Sequence, residues 1–277
     1  MALTDEQKEF IQKEINMDNT KSKLTNLQKK FIKERFDKRY TNFQKYLKEY
    51  EAIDDFAPNG NVFDTQSISD QAHFIMRTLT QFHLTEAFKA MKIDLNDDNV
   101  MEVPDDGNIG TPGRIAKVWC GDGTHDDSEL GSGRWAVKPR LASFPNTSTR
   151  KIPITKKIDI ISNCSHHFIT FSSLAREESY AIISYIPDKN VLGISKLQRV
   201  ADWVSQRFFL QEDLAQMLYD EVSKVAETDS VYVGLFNLVH GCESFRGAKS
   251  SNGAFTTECY GGDFQDEAIR NSVLTNA

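Results

Sequence analysis

Cys164-Ser165-His166-His167 sets a thiol and an imidazole three residues apart, a spacing at which Cys164 and His167 can meet on one metal ion. A further cysteine stands much later in the chain, in His240-Gly241-Cys242. Two sulfurs and one ring nitrogen are donors that zinc accepts in a tetrahedral site. Three protein donors leave a fourth position for water, which separates a catalytic zinc from a structural one, and such a water ionises with a pKa of about 7. Each half of the set carries a second histidine, His166 and His240, and imidazoles move protons near neutral pH. The plain alternative is that these cysteines only pack inside strands. His73, His83 and His125 lack comparable company and read as ordinary core or surface residues, and Cys120 and Cys259 as structural thiols.

A second group of residues suits an anion. Gly193-Ile194-Ser195-Lys196-Leu197-Gln198-Arg199 opens a helix with Ser195, Lys196 and Arg199 in its first turn. Backbone N–H groups there already favour negative charge, and cations are normally placed at the opposite end. A bound phosphate gives that placement a reason. Arg246, four residues beyond Cys242, and Arg114 in Thr111-Pro112-Gly113-Arg114 offer further guanidinium forks for a polyphosphate. Any one of these alone reads as a solvated surface cation.

The elements that must position these groups are legible in outline. Residues 1–55 read as helical, with Leu24, Leu27, Phe31, Phe36, Tyr40, Phe43, Leu47 and Tyr50 forming an apolar stripe. That stripe is expected to pack within the protein's own oligomer. Ala57-Pro58-Asn59-Gly60 punctuates the chain as a linker, dividing a basic helical extension (1–60) from a catalytic domain (61–277). Helices are expected over Ser69–Met91, from Thr111-Pro112, over Ser195–Phe208 and over Gln211–Ala226. Strands are expected within Lys157–Thr170, Tyr180–Ile186, Ser230–Val239 and Ala254–Cys259. A Gly/Asp/Ser/Pro-rich stretch between Gly121 and Arg150 reads as a mobile loop. Strands around a helical pair indicate an α+β fold.

The 277 residues suffice for one large domain or a domain with an extension. No apolar run approaches the roughly 18 residues that span a bilayer, and the first residues are no signal peptide. Four cysteines without close pairing suit reduced thiols in the cytoplasm. The net charge of −7 argues against a nucleic-acid partner, although residues 1–50 carry +4 and the remainder −11. A basic head beside an acidic body allows electrostatic docking, and equally an ordinary solvated helix face.

Taken in order, Thr-Pro-Gly-Arg-Ile-Ala-Lys (111–117), Cys-Ser-His-His-Phe (164–168), Tyr-Ile-Pro (185–187), Leu-Gly-Ile-Ser-Lys-Leu-Gln-Arg (192–199), Gln-Glu-Asp-Leu (211–214) and His-Gly-Cys-Glu-Ser-Phe-Arg-Gly (240–247) resemble the GTP cyclohydrolase I family. The resemblance covers roughly residues 72 to 275. It implies a tunnelling fold (T-fold), in which an antiparallel sheet with packed helices closes into a barrel by oligomerisation. A ring-stacked homo-oligomer, typically a decamer with active sites at subunit interfaces, comes with it. By matching position it implies Zn2+ on Cys164, His167 and Cys242, with His166 and His240 in proton transfer. Gln211 and Glu212 would hold the guanine edge, and Ser195, Lys196, Arg199, Arg246 and Arg114 the triphosphate. The implied reaction is hydrolysis of GTP to 7,8-dihydroneopterin triphosphate and formate, which opens pterin, folate or 7-deazaguanine synthesis.

Ser165 departs from the family's usual Glu, Asp105 to Gly110 resembles an insertion, and the 121–150 loop is longer than usual. Three other readings compete. One is a relative with an altered purine nucleotide substrate. Another is a nitrile reductase on the same fold, which would need a nicotinamide cofactor and no zinc set. The last is a non-catalytic nucleotide-binding protein working through residues 1–60.

Overall fold

The computed structural model describes residues 24–53, 68–101, 110–121, 138–245 and 253–275. His125, Arg246, the 57–60 punctuation and the expected boundary at residue 60 lie outside them, as do most of the 105–110 insertion and residues 122–137 of the 121–150 loop. By packing, the chain divides into two units, Met1–Asp54 with Ile68–Ala116, and Asp55–Ser67 with Lys117–Ala277.

In the first unit, α1 (Asn26–Phe36), α2 (Phe43–Glu51) and α3 (Asp70–Ala90) pack around aromatic side chains. Thr25 caps α1 in a reciprocal box with Gln28, and Ser69 caps α3 by accepting from the Ala72 N–H. The break between α1 and α2 falls at Asn42, in the left-handed region at φ 63°. Phe36, Phe43 and Leu47 from the predicted stripe, joined by Ile32, are buried against Ile75 and Leu79 of α3. The stripe therefore finds a partner within the chain, where the sequence reading looked to the oligomer. α4 (Thr111–Cys120) begins in this unit.

The second unit is α+β. Its strands are β1 (Ser143–Pro145), β2 (Ile154–Ile158), β3 (Ile161–Cys164), β4 (Thr170–Ser172), β5 (Tyr180–Tyr185), β6 (Asn190–Leu192), β7 (Phe208–Phe209), β8 (Val231–His240) and β9 (Phe255–Tyr260). Its helices are α5 (Lys196–Ser205), α6 (Gln211–Ala226), α7 (Gly241–Phe245) and α8 (Glu267–Thr275), with a 3-10 turn at Gly262–Gln265. The main sheet runs β2-β5-β8-β4-β3-β7, with β9 also on β8, while β1 and β6 form a separate pair. The sheet is mixed, where the sequence led to an antiparallel one, because β7 runs parallel to β3 (Asn163 opposite Phe208).

Side chains alternate across the long strands. Ala181, Ile183 and Tyr185 of β5 and Val231, Val233 and Leu235 of β8 face Leu197, Val204, Leu214, Leu218 and Val222 of α5 and α6. On the other face, Ile182 and Tyr232 are covered by Phe264 and by Val273 of α8. Among the described residues no helix is long and apolar enough to cross a membrane.

Gly262 closes the corner after β9 at φ +55°, and a Cβ there would lie 2.6 Å from the Ser230 backbone nitrogen and Cα. Neither the backbone angle nor the space suits a side chain. Gly262→Ala is expected to cost about 2–4 kcal/mol, combining left-handed strain with overpacking. Thermal denaturation should then read a midpoint lower by roughly 5 °C or more. An unchanged midpoint would contradict this account of the corner.

Candidate metal centre at the end of the sheet

β8 is paired with β5 and β9 along most of its length, and then breaks register between Leu235 and Leu238. Asn237, at φ 53°, sits in that irregularity. Its N–H donates to Thr256 Oγ1 (3.2 Å), its amide to the Glu178 carbonyl (3.1 Å), and its carbonyl accepts from Ser179 Oγ (2.6 Å). With its polar groups satisfied, the bulge re-aims the strand end. Val239 and His240 now pair with Ser172 and Phe171 of β4, the neighbour of β3. His240 is thereby placed one strand away from the end of β3, where Cys164 lies.

Three donor atoms converge there. Those of Cys164, His240 and Cys242 all lie within 4.8 Å of one another. Cys164 is buried at the end of β3, and Cys242 is half-buried in the first turn of α7. Zinc bonds of about 2.3 Å to sulfur and about 2.0–2.1 Å to nitrogen place tetrahedral donors roughly 3.5–3.8 Å apart, within reach of this cluster after slight closure. Burial first, and then the adjacent Cys164 thiol, push the Cys242 thiol up. Neighbouring thiols resist ionising together, and a divalent cation removes that conflict. The donor set fits zinc.

His240 is held on several sides. Its ring stacks on Phe171 (4.7 Å, 5° between planes) and meets Phe255 edge-on at 5.1 Å. Its Nε2 lies 2.7 Å from Gln211 Oε1. Gln211 is buried, and its Nε2 donates to the Phe255 carbonyl (3.1 Å) and to Thr257 Oγ1 (3.1 Å). Those two acceptors fix the amide, so Oε1 faces the imidazole and His240 Nε2 carries the proton. Nδ1 is left with the lone pair. Burial lowers the His240 pKa, while the Glu212 and Glu243 carboxylates pull it the other way.

The family resemblance joins Cys164 and Cys242 with His167; in the structure it is the His240 donor that lies within 4.8 Å of both sulfurs. Both His166 and His167 are exposed on the turn after β3, with ring centroids 6.1 Å apart. Gln211, expected at a guanine edge, is engaged with His240, and exposed Glu212 is its neighbour at the start of α6. Ser195, Lys196 and Arg199 stand at the start of α5, and among the described residues their side chains form no hydrogen bond or ion pair. Arg114 belongs to the first unit, in α4. What the residue spacing missed is the supporting set of Phe171, Phe255 and Thr257, whose role depends on strand register and has no local signature.

The family profile described as GTP cyclohydrolase I matches residues 88–277. The chain is similar to GTP cyclohydrolase 1 of Enterobacter sp., at 31% identity over 185 residues, covering 66% of this chain and 73% of that one. It is 31% identical over 191 residues to GTP cyclohydrolase 1 of Citrobacter koseri, covering 68% and 76% of the two chains. The protein of that name from Salmonella arizonae is 30% identical over 190 residues, with 68% and 76% covered.

Proposed function

Since the chain belongs to the GTP cyclohydrolase I family and is a hydrolase of that kind, we propose that it uses zinc to convert GTP to 7,8-dihydroneopterin triphosphate and formate. The observation that carries this reading is the meeting of Cys164, Cys242 and an imidazole at one sheet end, from segments distant in sequence. Zinc bound there supplies Lewis acidity and makes hydroxide available near neutral pH. Cys164 and Cys242 hold it. His240 is the third donor in the geometry described, and His167 is the third donor in the arrangement that the family resemblance implies.

The remaining residues divide by chemistry. The Glu212 carboxylate, beside His240, accepts two hydrogen bonds from a guanine ring N–H and the exocyclic amine, a pair that adenine lacks. Ser195, Lys196 and Arg199 offer unpaired donors at a helix start, where a triphosphate is favoured. Arg114 and Arg246 add guanidinium groups to the same task. His166, exposed on its turn, serves with His240 in proton transfer, and His240 keeps a proton at Nε2 against Gln211. The enzyme works in the cytoplasm as a homo-oligomer, a decamer by family resemblance. Exposed Leu174 and Ile194 support contact with further copies. Its product feeds pterin, folate or 7-deazaguanine synthesis.

The test is elemental analysis of freshly purified protein, together with incubation with GTP and oxidation of the product. About one zinc per chain and a fluorescent pterin are expected. Absence of pterin from zinc-loaded protein would overturn the reading. His240→Ala and His167→Ala separate the two donor sets. Loss of metal only in the first variant assigns His240, and loss only in the second assigns His167.

A further inference from the structure

We propose that Phe168 is a positioning residue, whose ring locks the turn presenting Cys164, His166 and His167; this rests on the metal reading above. The turn joining β3 to β4 reverses the chain within residues 165–169. The Cys164 N–H donates to the Ile169 carbonyl (2.9 Å), and the Phe168 N–H donates back to the Cys164 carbonyl (2.8 Å). That closure requires Phe168 at φ +54°, in the left-handed region. Glycine adopts this conformation freely, and asparagine with little strain; a bulky aromatic does not. An aromatic residue in this place needs a compensating role for its ring.

The ring has one. Its centroid lies 4.5 Å from that of Phe208 in β7 and 5.5 Å from that of Trp119 in the last turn of α4. β7 is the parallel partner of Asn163 and Cys164, and the Phe209 carbonyl accepts from the Ser165 N–H (3.1 Å). The two residues of β7 thus grip the turn on both sides of the histidines, through the backbone at Ser165 and through the ring at Phe168. β7 is itself anchored. Arg207 is fully buried, its guanidinium lies 4.1 Å over the Trp203 ring, and its carbonyl accepts from Ser162 Oγ (3.1 Å). Phe168 nevertheless remains 45% exposed, so burial in the core does not account for an aromatic ring here.

Phe168→Gly and Phe168→Asn keep a backbone suited to φ +54° and delete the ring, whereas Phe168→Tyr keeps the ring. Zinc affinity, read by competition with a chromophoric chelator, is expected to fall about tenfold in the first two and to stay within about twofold in the third, following the usual effect of lost support around a metal ligand. Amide exchange at residues 164–169 in metal-free protein should accelerate in the same two variants. Turnover should fall with little change in KM for GTP. If Phe168→Gly fails to fold, Phe208→Leu opens the clamp from the other side and should give the same losses. Wild-type affinity and wild-type exchange in the ring-deleted variants would overturn the proposal. A wild-type protein that binds no zinc would instead overturn the metal reading, and amide exchange would still decide the role of Phe168.

Discussion

Cys242→Ala is expected to yield a folded chain that no longer retains zinc and turns over GTP on the order of 10³-fold more slowly, a loss of several kcal/mol of transition-state stabilisation. The site separates the metal effect from the folding effect. Cys242 is half-buried in a five-residue helix, so removing its sulfur should cost the fold little. Cys164 is 4% exposed within the core that also holds Phe171 and Phe209. Cys164→Ala should therefore lose the metal and lower the thermal midpoint as well. Cys259 provides the control. It lies on β9, where its thiol meets Gln216 Oε1 at 3.4 Å, and it is not among the converging donors. Cys259→Ala should keep its metal and its turnover. Stoichiometric zinc in Cys242→Ala, measured on protein purified without chelator, would remove Cys242 from the site.

The sequence was most legible where one element carries its own pattern. Gln211–Ala226 has the extent predicted for it, because Leu214, Leu218 and Val222 recur on one helix face and that face is the one buried. The donor types were legible for a similar reason, since cysteine and histidine in such short motifs have few other uses. That His240 also stands beside the sulfurs was not, because its place depends on the bulge at Asn237 and on the β4–β8 register, and both are set by pairing between distant segments. The same limit explains β7. Periodicity carries the Ser195 helix through to Phe208, yet the helix ends at Ser205. The buried Arg207 and the parallel pairing to β3 claim the next residues, overriding local propensity. Much of the N-terminal stripe is a packing face, divided between α1 and α2, with Leu27 left exposed. Its partner could not be read, because nothing within residues 24–50 indicates that Ile75 and Leu79 will cover it.

Gln211→Leu is expected to lower kcat by about 10- to 100-fold while KM for GTP changes by less than about threefold. The substitution nearly conserves volume and leaves a buried site apolar. His240 Nε2–H then loses its acceptor, and the Phe255 carbonyl and Thr257 hydroxyl lose a shared donor. Each buried polar group left unpaired costs about 1–3 kcal/mol. The ring, still stacked on Phe171, is free to exchange its proton between Nε2 and Nδ1, so the lone pair no longer has a fixed direction. This consequence holds whether His240 donates a lone pair to the metal or works as a proton carrier beside it, since each role needs one tautomer. The alternative assignment of Gln211 to the guanine edge makes the opposite kinetic prediction. Loss of a guanine contact should raise KM and narrow the preference for GTP over an inosine nucleotide, which lacks the exocyclic amine. Glu212→Gln is the comparison for that behaviour, because Glu212 is exposed where a substrate can reach it and Gln211 is not. A Gln211→Leu enzyme with normal kcat and a raised KM would return Gln211 to the substrate and leave Phe171 and Phe255 as the only described support for His240.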